Sequence, residues 1–170
     1  NKEINLHILI DVQGYQSESK VRGIGRSTLA MSRAIIENAG EHRVSILING
    51  MYPIDNINDV KMAYRDLLTD EDMFIFSAVA PTAYRHIENH GRSKAAQAAR
   101  DIAIANIAPD IVYVISFFEG HSDSYTVSIP ADNVPWKTVC VCHDLIPLLN
   151  KERYLGDPNF REFYMNKLAE

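Results

Sequence analysis

Five short apolar runs, rich in Ile and Val, alternate with helical patterns along this chain. The runs cover residues 4–12, 43–49, 73–79, 111–116 and 136–142. Most of them are continuously apolar, which is typical of strands buried on both faces of a parallel sheet. Helical patterns at residues 27–38, 58–68 and 93–107 separate the first four runs, and a last one begins near Pro158. The order predicts an α/β fold, a Rossmann-like doubly wound parallel sheet with helices on both faces.

The composition is that of an ordinary globular domain, with 170 residues of which 46% are hydrophobic and 23% charged. The formal net charge of -5 argues against a nucleic-acid partner, and the absence of a long apolar span leaves at most a peripheral membrane contact. No secretory leader is recognisable, which favours a cytoplasmic location. Cys140 and Cys142 share one face of the last run, and we expect them to be reduced core thiols rather than a disulfide.

A glycine-rich segment at residues 21–29 precedes the first helical pattern. Gly23 and Gly25 are flanked there by Arg22 and Arg26. Glycines let backbone approach a ligand closely, and the N-terminus of the helix that follows attracts an anion. The segment lacks the third glycine of a dinucleotide fingerprint and the Gly-Lys-Ser/Thr of a P-loop. It predicts contact with a sugar, a phosphate or both, and a purely structural glycine turn is the alternative.

Ligands of open parallel sheets bind beyond the carboxyl ends of the strands, so the candidate site residues are those that follow each run. They are residues 11–26, 49–53, 80–92 and 117–123, and His143 with Asp144 after the fifth run. The imidazole could meet a substrate while the carboxylate fixes its tautomer or binds a hydroxyl. A structural role for this pair is equally open. His7 lies within the first run and is predicted to be a hydrogen-bonded core histidine.

Three other patterns resemble functional motifs but lack features that those motifs require. Residues 70–72 (Asp-Glu-Asp) match the metal-binding pattern of many sugar transferases, but they precede a strand and so predict a solvated acidic turn at the opposite edge. Residues 120–124 resemble a serine-hydrolase elbow without its second glycine or its helix. The Cys-x-Cys-His at residues 140–143 lacks zinc-site spacing. We therefore predict no metal site.

Three segments resemble the N-terminal domain of GT-B type glycosyltransferases, in particular the retaining family four that includes bacterial mannosyltransferases of surface-polysaccharide assembly. They are residues 22–29, 116–120 and 143–149. The resemblance implies that His143, with Asp144 beside it, is the catalytic group near the donor sugar. It also implies substrate contacts, near the donor diphosphate or on the acceptor side, for six residues: Gly23, Ile24, Gly25, Arg26, Glu119 and Gly120.

The implied reaction is transfer of a hexose, with GDP-mannose as the expected donor, to a hydroxyl of a glycan with retention of anomeric configuration. No metal or other cofactor is implied, because backbone N–H groups and cations would stabilise the leaving diphosphate. Family members bind most of the nucleotide through a C-terminal domain, so we expect residues 1–170 to form one acceptor-side domain without that partner. Such a domain alone should be nearly inactive and should self-associate through its uncovered face. The alternative is a non-catalytic Rossmann-like module that binds a small anionic ligand or a partner domain.

Overall fold

One parallel sheet organises the protein, whose computed structural model describes residues 5–130, 133–143 and 145–170. Its strand order is β3-β2-β1-β4-β5. The strands are β1 (His7–Asp11), β2 (Arg43–Asn49), β3 (Met73–Phe76), β4 (Ile111–Val114) and β5 (Lys137–Cys140). The predicted order of elements is confirmed, although four of the five strands end before the apolar runs do. The chain reverses its direction of winding between β1 and β4, which is where such sheets open a crevice for ligands.

Six helices accompany the sheet in the described residues. They are α1 (Gly23–Glu37), α2 (Ile54–Tyr64), α3 (His90–Ile107), α4 (Ile146–Leu149), α5 (Lys151–Tyr154) and α6 (Pro158–Ala169). α6 begins where the sequence predicts, because the Asp157 carboxylate accepts from the N–H groups of Asn159 and Phe160 and Pro158 occupies the first turn. α3 ends at Ala108, whose positive φ of 51° breaks the helix just before Pro109.

The prediction for the start of α1 was wrong. The helix begins at Gly23, so Gly23 and Gly25 lie in its first turn and not in a loop before it. α2 is also displaced toward the N-terminus, because Pro53 at its N-cap starts the helix earlier than the apolar pattern indicates. Both differences move helix N-termini closer to the carboxyl edge of the sheet.

Two apolar cores lie on the two faces of the sheet. Alternate residues of a strand point to opposite faces, and Leu9 packs with Ile104 of α3 on one side while Ile10 packs with Val60 of α2 on the other. Leu29 of α1 also packs on the second side. The predicted doubly wound arrangement, with helices on both faces, is therefore confirmed.

The strand β5 lies at an open edge of the sheet, paired only with β4 in the described residues. Cys140 and Cys142 are exposed free thiols, so the prediction of core thiols was wrong. A continuous apolar run predicts a strand that is buried on both faces. β5 is an edge strand, and neighbouring elements cover less of its side chains than they cover of a central strand. None of the helices in the described residues combines the length and apolar character that crossing a bilayer demands.

Candidate functional site

A cavity of about 260 Å³ opens at the carboxyl edge of the sheet, and we call it the first cavity. Its walls come from α1, from the segment after β4, from the residue stretch after β5 and from α6. Four of the predicted site residues line it: Ile24, Glu119, Gly120 and His143. The structure thus brings together residues that are more than a hundred positions apart in the chain. Their roles in binding and catalysis stay predictions.

His143 reaches the first cavity from the end of the sheet. The N–H of Val141 donates to the carbonyl of Val114 at 2.9 Å, which continues the β4–β5 pairing to within two residues of the histidine. His143 itself is exposed. The other predicted catalytic residue, Asp144, lies outside the described residues.

Only one residue of the glycine-rich segment lines the first cavity, namely Ile24. Gly25 is buried, and a Cβ added to it would collide with the backbone carbonyl of Lys20. The structural alternative therefore accounts for this glycine. Gly23 is exposed with open space around it, and Arg26 is exposed on the same turn. Both lie outside the lining of the cavity.

The segment after β4 forms the central wall of the first cavity. Gly120 adopts a positive φ of 101°, and an added Cβ would lie 2.5 Å from the carbonyl oxygen of Tyr125. Only glycine fits such a position without strain. Beside it, the half-buried Glu119 carboxylate accepts a long hydrogen bond of 3.4 Å from the Ser116 hydroxyl. The predicted acceptor-side carboxylate therefore contacts a residue of the same wall, and both residues line the cavity.

Aromatic rings of α6 make up the outer wall, which the sequence analysis did not assign to a site. Phe118 stacks on Tyr164 with ring centroids 4.9 Å apart, and the rings of Phe160 and His121 are nearly perpendicular with centroids 5.0 Å apart. His121 also shares a hydrogen bond of 2.9 Å with the side chain of Asn159. The sequence shows these aromatic residues as part of a final amphipathic helical pattern, which does not reveal that they face a cavity.

A buried polar network that the sequence analysis also missed holds the loops of this edge. Asp11, at the end of β1, forms a salt bridge of 2.8 Å with Arg100 of α3, and both side chains are at most 1% exposed. Gln13 donates to both carboxylate oxygens of Asp11 and to the carbonyl of Thr126. Asn49, at the end of β2, donates to the Gln13 side chain. The network has a structural role, because its groups bind one another.

Residues away from the cavity behave as follows. Asp72 pairs with Arg43 at 2.9 Å in an acidic turn that precedes β3, so the predicted solvated turn is confirmed. His7 shares a hydrogen bond of 2.7 Å with Ser45 but is only half-buried. Burial, followed by the nearby Arg43 charge, lowers the pKa of His7. The described residues contain no cluster of three or more His, Cys, Asp or Glu side chains that could hold a metal ion.

Comparison with known proteins finds two curated relatives that are named as transferases. The chain is 99% identical over 165 residues to a protein named serotype-specific mannosyltransferase WbdA from Escherichia coli, a match that covers 97% of the chain and 20% of that protein. A second Escherichia coli protein of the same name is 95% identical over 140 residues, which are 82% of the chain and 17% of that relative. The chain spans about a fifth of the length of these curated relatives.

No protein-family model and no solved structure matches the chain. Membership of GT-B family four accordingly stays a prediction. The names of the two relatives favour a transferase over the non-catalytic module. The resemblance to a bacterial, mannosyltransferase-like glycosyltransferase, predicted from three short segments, is thereby confirmed over almost the whole chain.

Proposed function

We propose that these 170 residues form the acceptor-side domain of a retaining mannosyltransferase, which moves mannose from GDP-mannose to a hydroxyl of a glycan. The observation that carries the proposal is the 99% identity to a region of a protein named mannosyltransferase. The convergence of Glu119 and His143 on one cavity at the ligand edge of a parallel sheet supports it.

In the proposed reaction, the bond from the anomeric carbon to the diphosphate oxygen breaks, the acceptor hydroxyl oxygen bonds to that carbon, and the proton of this hydroxyl passes to the departing diphosphate. His143 contacts the donor sugar, with Asp144 orienting it, while Glu119 and Gly120 position the acceptor hydroxyl. At the first turn of α1, the N–H groups of Gly23 and Ile24 and the positive charge of Arg26 are directed toward the leaving diphosphate. Gly25 shapes this turn, since its N–H donates to the carbonyl of Ser19 at 3.2 Å. No side chain caps this turn in the described part of the chain.

The nucleotide requires a second binding surface. The first cavity, at about 260 Å³, lies below the range of roughly 300–1,000 Å³ typical of pockets that enclose a ligand of drug size. A C-terminal domain in the longer protein would supply the missing wall and the contacts to the nucleotide. We therefore expect the 170-residue chain alone to have little transfer activity, and robust transfer by it would contradict this division of roles.

The edge at β5 is the expected contact surface when that domain is absent. Val139, Leu145 and Leu149 are 47%, 48% and 86% exposed and lie on β5 or just after it. Exposed apolar patches of this kind promote association. Light scattering of the 170-residue chain should show concentration-dependent self-association, and a strict monomer at high concentration would count against it.

We place the protein in the cytoplasm, at most peripherally at the inner face of the membrane. Cys140 and Cys142 are free although exposed, which suits a reducing compartment. The formal net charge of -5 gives no general attraction to an anionic membrane surface.

The decisive test compares the full-length protein with its His143→Ala variant, using GDP-mannose and a glycan acceptor. We expect kcat to fall by roughly 10²-fold or more, because loss of one positioned acid–base or electrostatic group typically costs that much. His42→Ala is the matched control, since His42 is exposed at the opposite edge of the sheet. An unchanged kcat together with an unchanged acceptor KM in His143→Ala would refute the assignment.

A further inference from the structure

A second cavity, of about 520 Å³, lies beyond the carboxyl ends of β2 and β3. Tyr52 reaches it from the residues after β2, Arg85 from the residues after β3, Arg92 from the first turn of α3 and Asp123 from the segment after β4. All strands of the sheet run parallel, so these ends share the edge at which the first cavity opens. Both cavities are therefore on the ligand side of the sheet.

The two cavities adjoin, because Ser122 lines both of them. Backbone hydrogen bonds hold their walls together at this point. The N–H of Tyr84 donates to the carbonyl of Gly120 at 3.0 Å, and the N–H of Arg85 donates to the carbonyl of His121 at 2.9 Å. A ligand in the first cavity therefore lies next to the second cavity at Ser122.

The wall beside Ser122 is preorganised. The Asp123 carboxylate accepts hydrogen bonds of 3.2 Å each from the Tyr52 hydroxyl and from the N–H groups of Glu18 and Tyr125. Burial, followed by the nearby Asp123 charge, raises the pKa of Tyr52 well above its usual range, so the hydroxyl stays neutral. A wall that is already ordered loses little entropy when a ligand binds.

Arg92 and Arg85 differ in what they offer a ligand. Arg92 is engaged by the chain, since it donates to the carbonyl of Pro81 at 3.0 Å and to the Asn89 side chain. Arg85 is exposed, and its Nε donates to the ring of His86 at 3.0 Å. A guanidinium carries five N–H donors, so Arg85 retains donors that can face the cavity.

The charges around the second cavity nearly cancel. The two arginines are balanced by Glu88 and Asp123, and the Glu88 carboxylate lies 3.9 Å from the ring of His86. Met51 and Pro53 add apolar surface next to the Tyr52 ring. The cavity combines hydrogen-bond donors, acceptors and apolar surface and has no excess of positive charge. Such a lining suits an uncharged polyhydroxy ligand better than a phosphate, because phosphate groups are bound preferentially by clusters of arginines.

We propose that the second cavity is a distal sugar subsite for the acceptor. The glycan places its reacting hydroxyl in the first cavity and runs past Ser122, so that a sugar farther along it contacts Arg85 and the Tyr52 face. The inference rests on the proposed mannosyl transfer and adds that the site distinguishes long acceptors from short ones.

The test measures acceptor-length dependence in the full-length protein, both as kcat/KM with GDP-mannose and as calorimetric binding of neutral oligomannosides without donor. We expect kcat/KM and affinity of the unmodified protein to rise with acceptor length. Arg85→Ala should lower both by about 5- to 10-fold for long acceptors, the range for loss of one or two hydrogen bonds, and leave the shortest acceptor unchanged. Arg65→Ala, an exposed arginine following α2, is the matched control.

Further variants separate the chemistry of the ligand. Arg85→Gln keeps donors without charge and should retain part of the long-acceptor preference if the ligand is neutral. Tyr52→Phe removes the hydrogen bond to Asp123 and should weaken the binding of long acceptors but not of short ones. An Arg85→Ala effect seen only with phosphate-bearing glycans would overturn the neutral-sugar proposal.

Three results distinguish the distal subsite from the proposed mannosyl transfer. Equal losses for short and long acceptors, or no length preference in the unmodified protein, overturn the distal subsite while mannosyl transfer persists. No transfer, together with length-dependent binding that Arg85→Ala weakens, would refute the proposed function and support the subsite. Length-dependent binding and transfer that both need Arg85 support the two together.

Discussion

The buried salt bridge between Asp11 and Arg100 gives the sharpest stability prediction. Arg100 donates to one Asp11 oxygen from Nε at 2.9 Å and from an η nitrogen at 2.8 Å, and neither side chain is more than 1% exposed. The substitution Arg100→Met keeps most of the side-chain volume and removes the charge. It leaves a carboxylate buried at the end of the central strand, and within the part of the chain that the structure describes the remaining donors to it are those of Gln13.

The magnitude follows from the cost of an uncompensated buried charge. Removing one partner of a buried ion pair typically costs about 3–5 kcal/mol. The hydrogen bonds from Gln13 remain, so we expect the lower half of that range. With a urea dependence of about 2 kcal/mol per molar, the unfolding midpoint should fall by about 1.5–2 M. Adding Asp11→Asn should recover about 1–2 kcal/mol, because a neutral amide costs less to bury.

The assay is urea unfolding of the 170-residue chain, followed by fluorescence of its one tryptophan, Trp136, which is 7% exposed. Arg33→Met is the control, since it breaks a 2.6 Å bridge to Asp66 that solvent screens. It should move the midpoint far less than Arg100→Met. Equal shifts in the two variants, or no recovery in the double variant, would refute the reasoning.

Three further predictions concern single positions. Gly25→Ala should destabilise the chain by about 1–3 kcal/mol, because the new Cβ collides with backbone, while Gly23→Ala should be neutral or slightly stabilising; thermal unfolding compares them. Folding lowers the pKa of His7, so the folded chain binds a proton at this residue less readily than the unfolded chain does. The free energy of unfolding should therefore decrease as the pH falls below about 6.5, and His7→Gln should remove that part of the pH dependence. A thiol reagent should modify both Cys140 and Cys142 without denaturant. Cys140 should react more slowly at a given pH, because burial, followed by the neighbouring thiol, raises its pKa. Reaction only after unfolding would contradict the exposure of this edge strand.

The sheet was predictable because its signal is local. Continuous Ile- and Val-rich runs, such as the one that became β2 with the predicted bounds, record burial on both faces directly in composition. Helix starts were harder to predict. Apolar periodicity locates the face of α1 that packs on the sheet. Its first turn contains two glycines, which in the sequence are typical of a loop. The structure shows that Gly25 belongs to the helix and packs against the carbonyl of Lys20.

The candidate site was predictable only in part. His143 and Glu119 followed from the rule that ligands bind beyond the carboxyl ends of parallel strands, and both line the first cavity. The segments that line the second cavity were predicted to lie at the ligand edge, but not that Tyr52 and Arg85 share one cavity, because no local pattern joins the two connections to which they belong. The exposed thiols were missed for a related reason, since a run does not reveal whether its strand lies at the centre or at the edge.

What the sequence by itself determined is the class of fold, the side of the sheet to search and the likeness to a mannosyltransferase, because periodicity and short motifs are properties of neighbouring residues. Only the tertiary structure decided which glycine is needed for packing, that Asp11 pairs with Arg100, and that Ser122 lines two neighbouring cavities. These depend on distances between segments far apart in the chain, which strand order and parallel register set once the cores on both faces have formed.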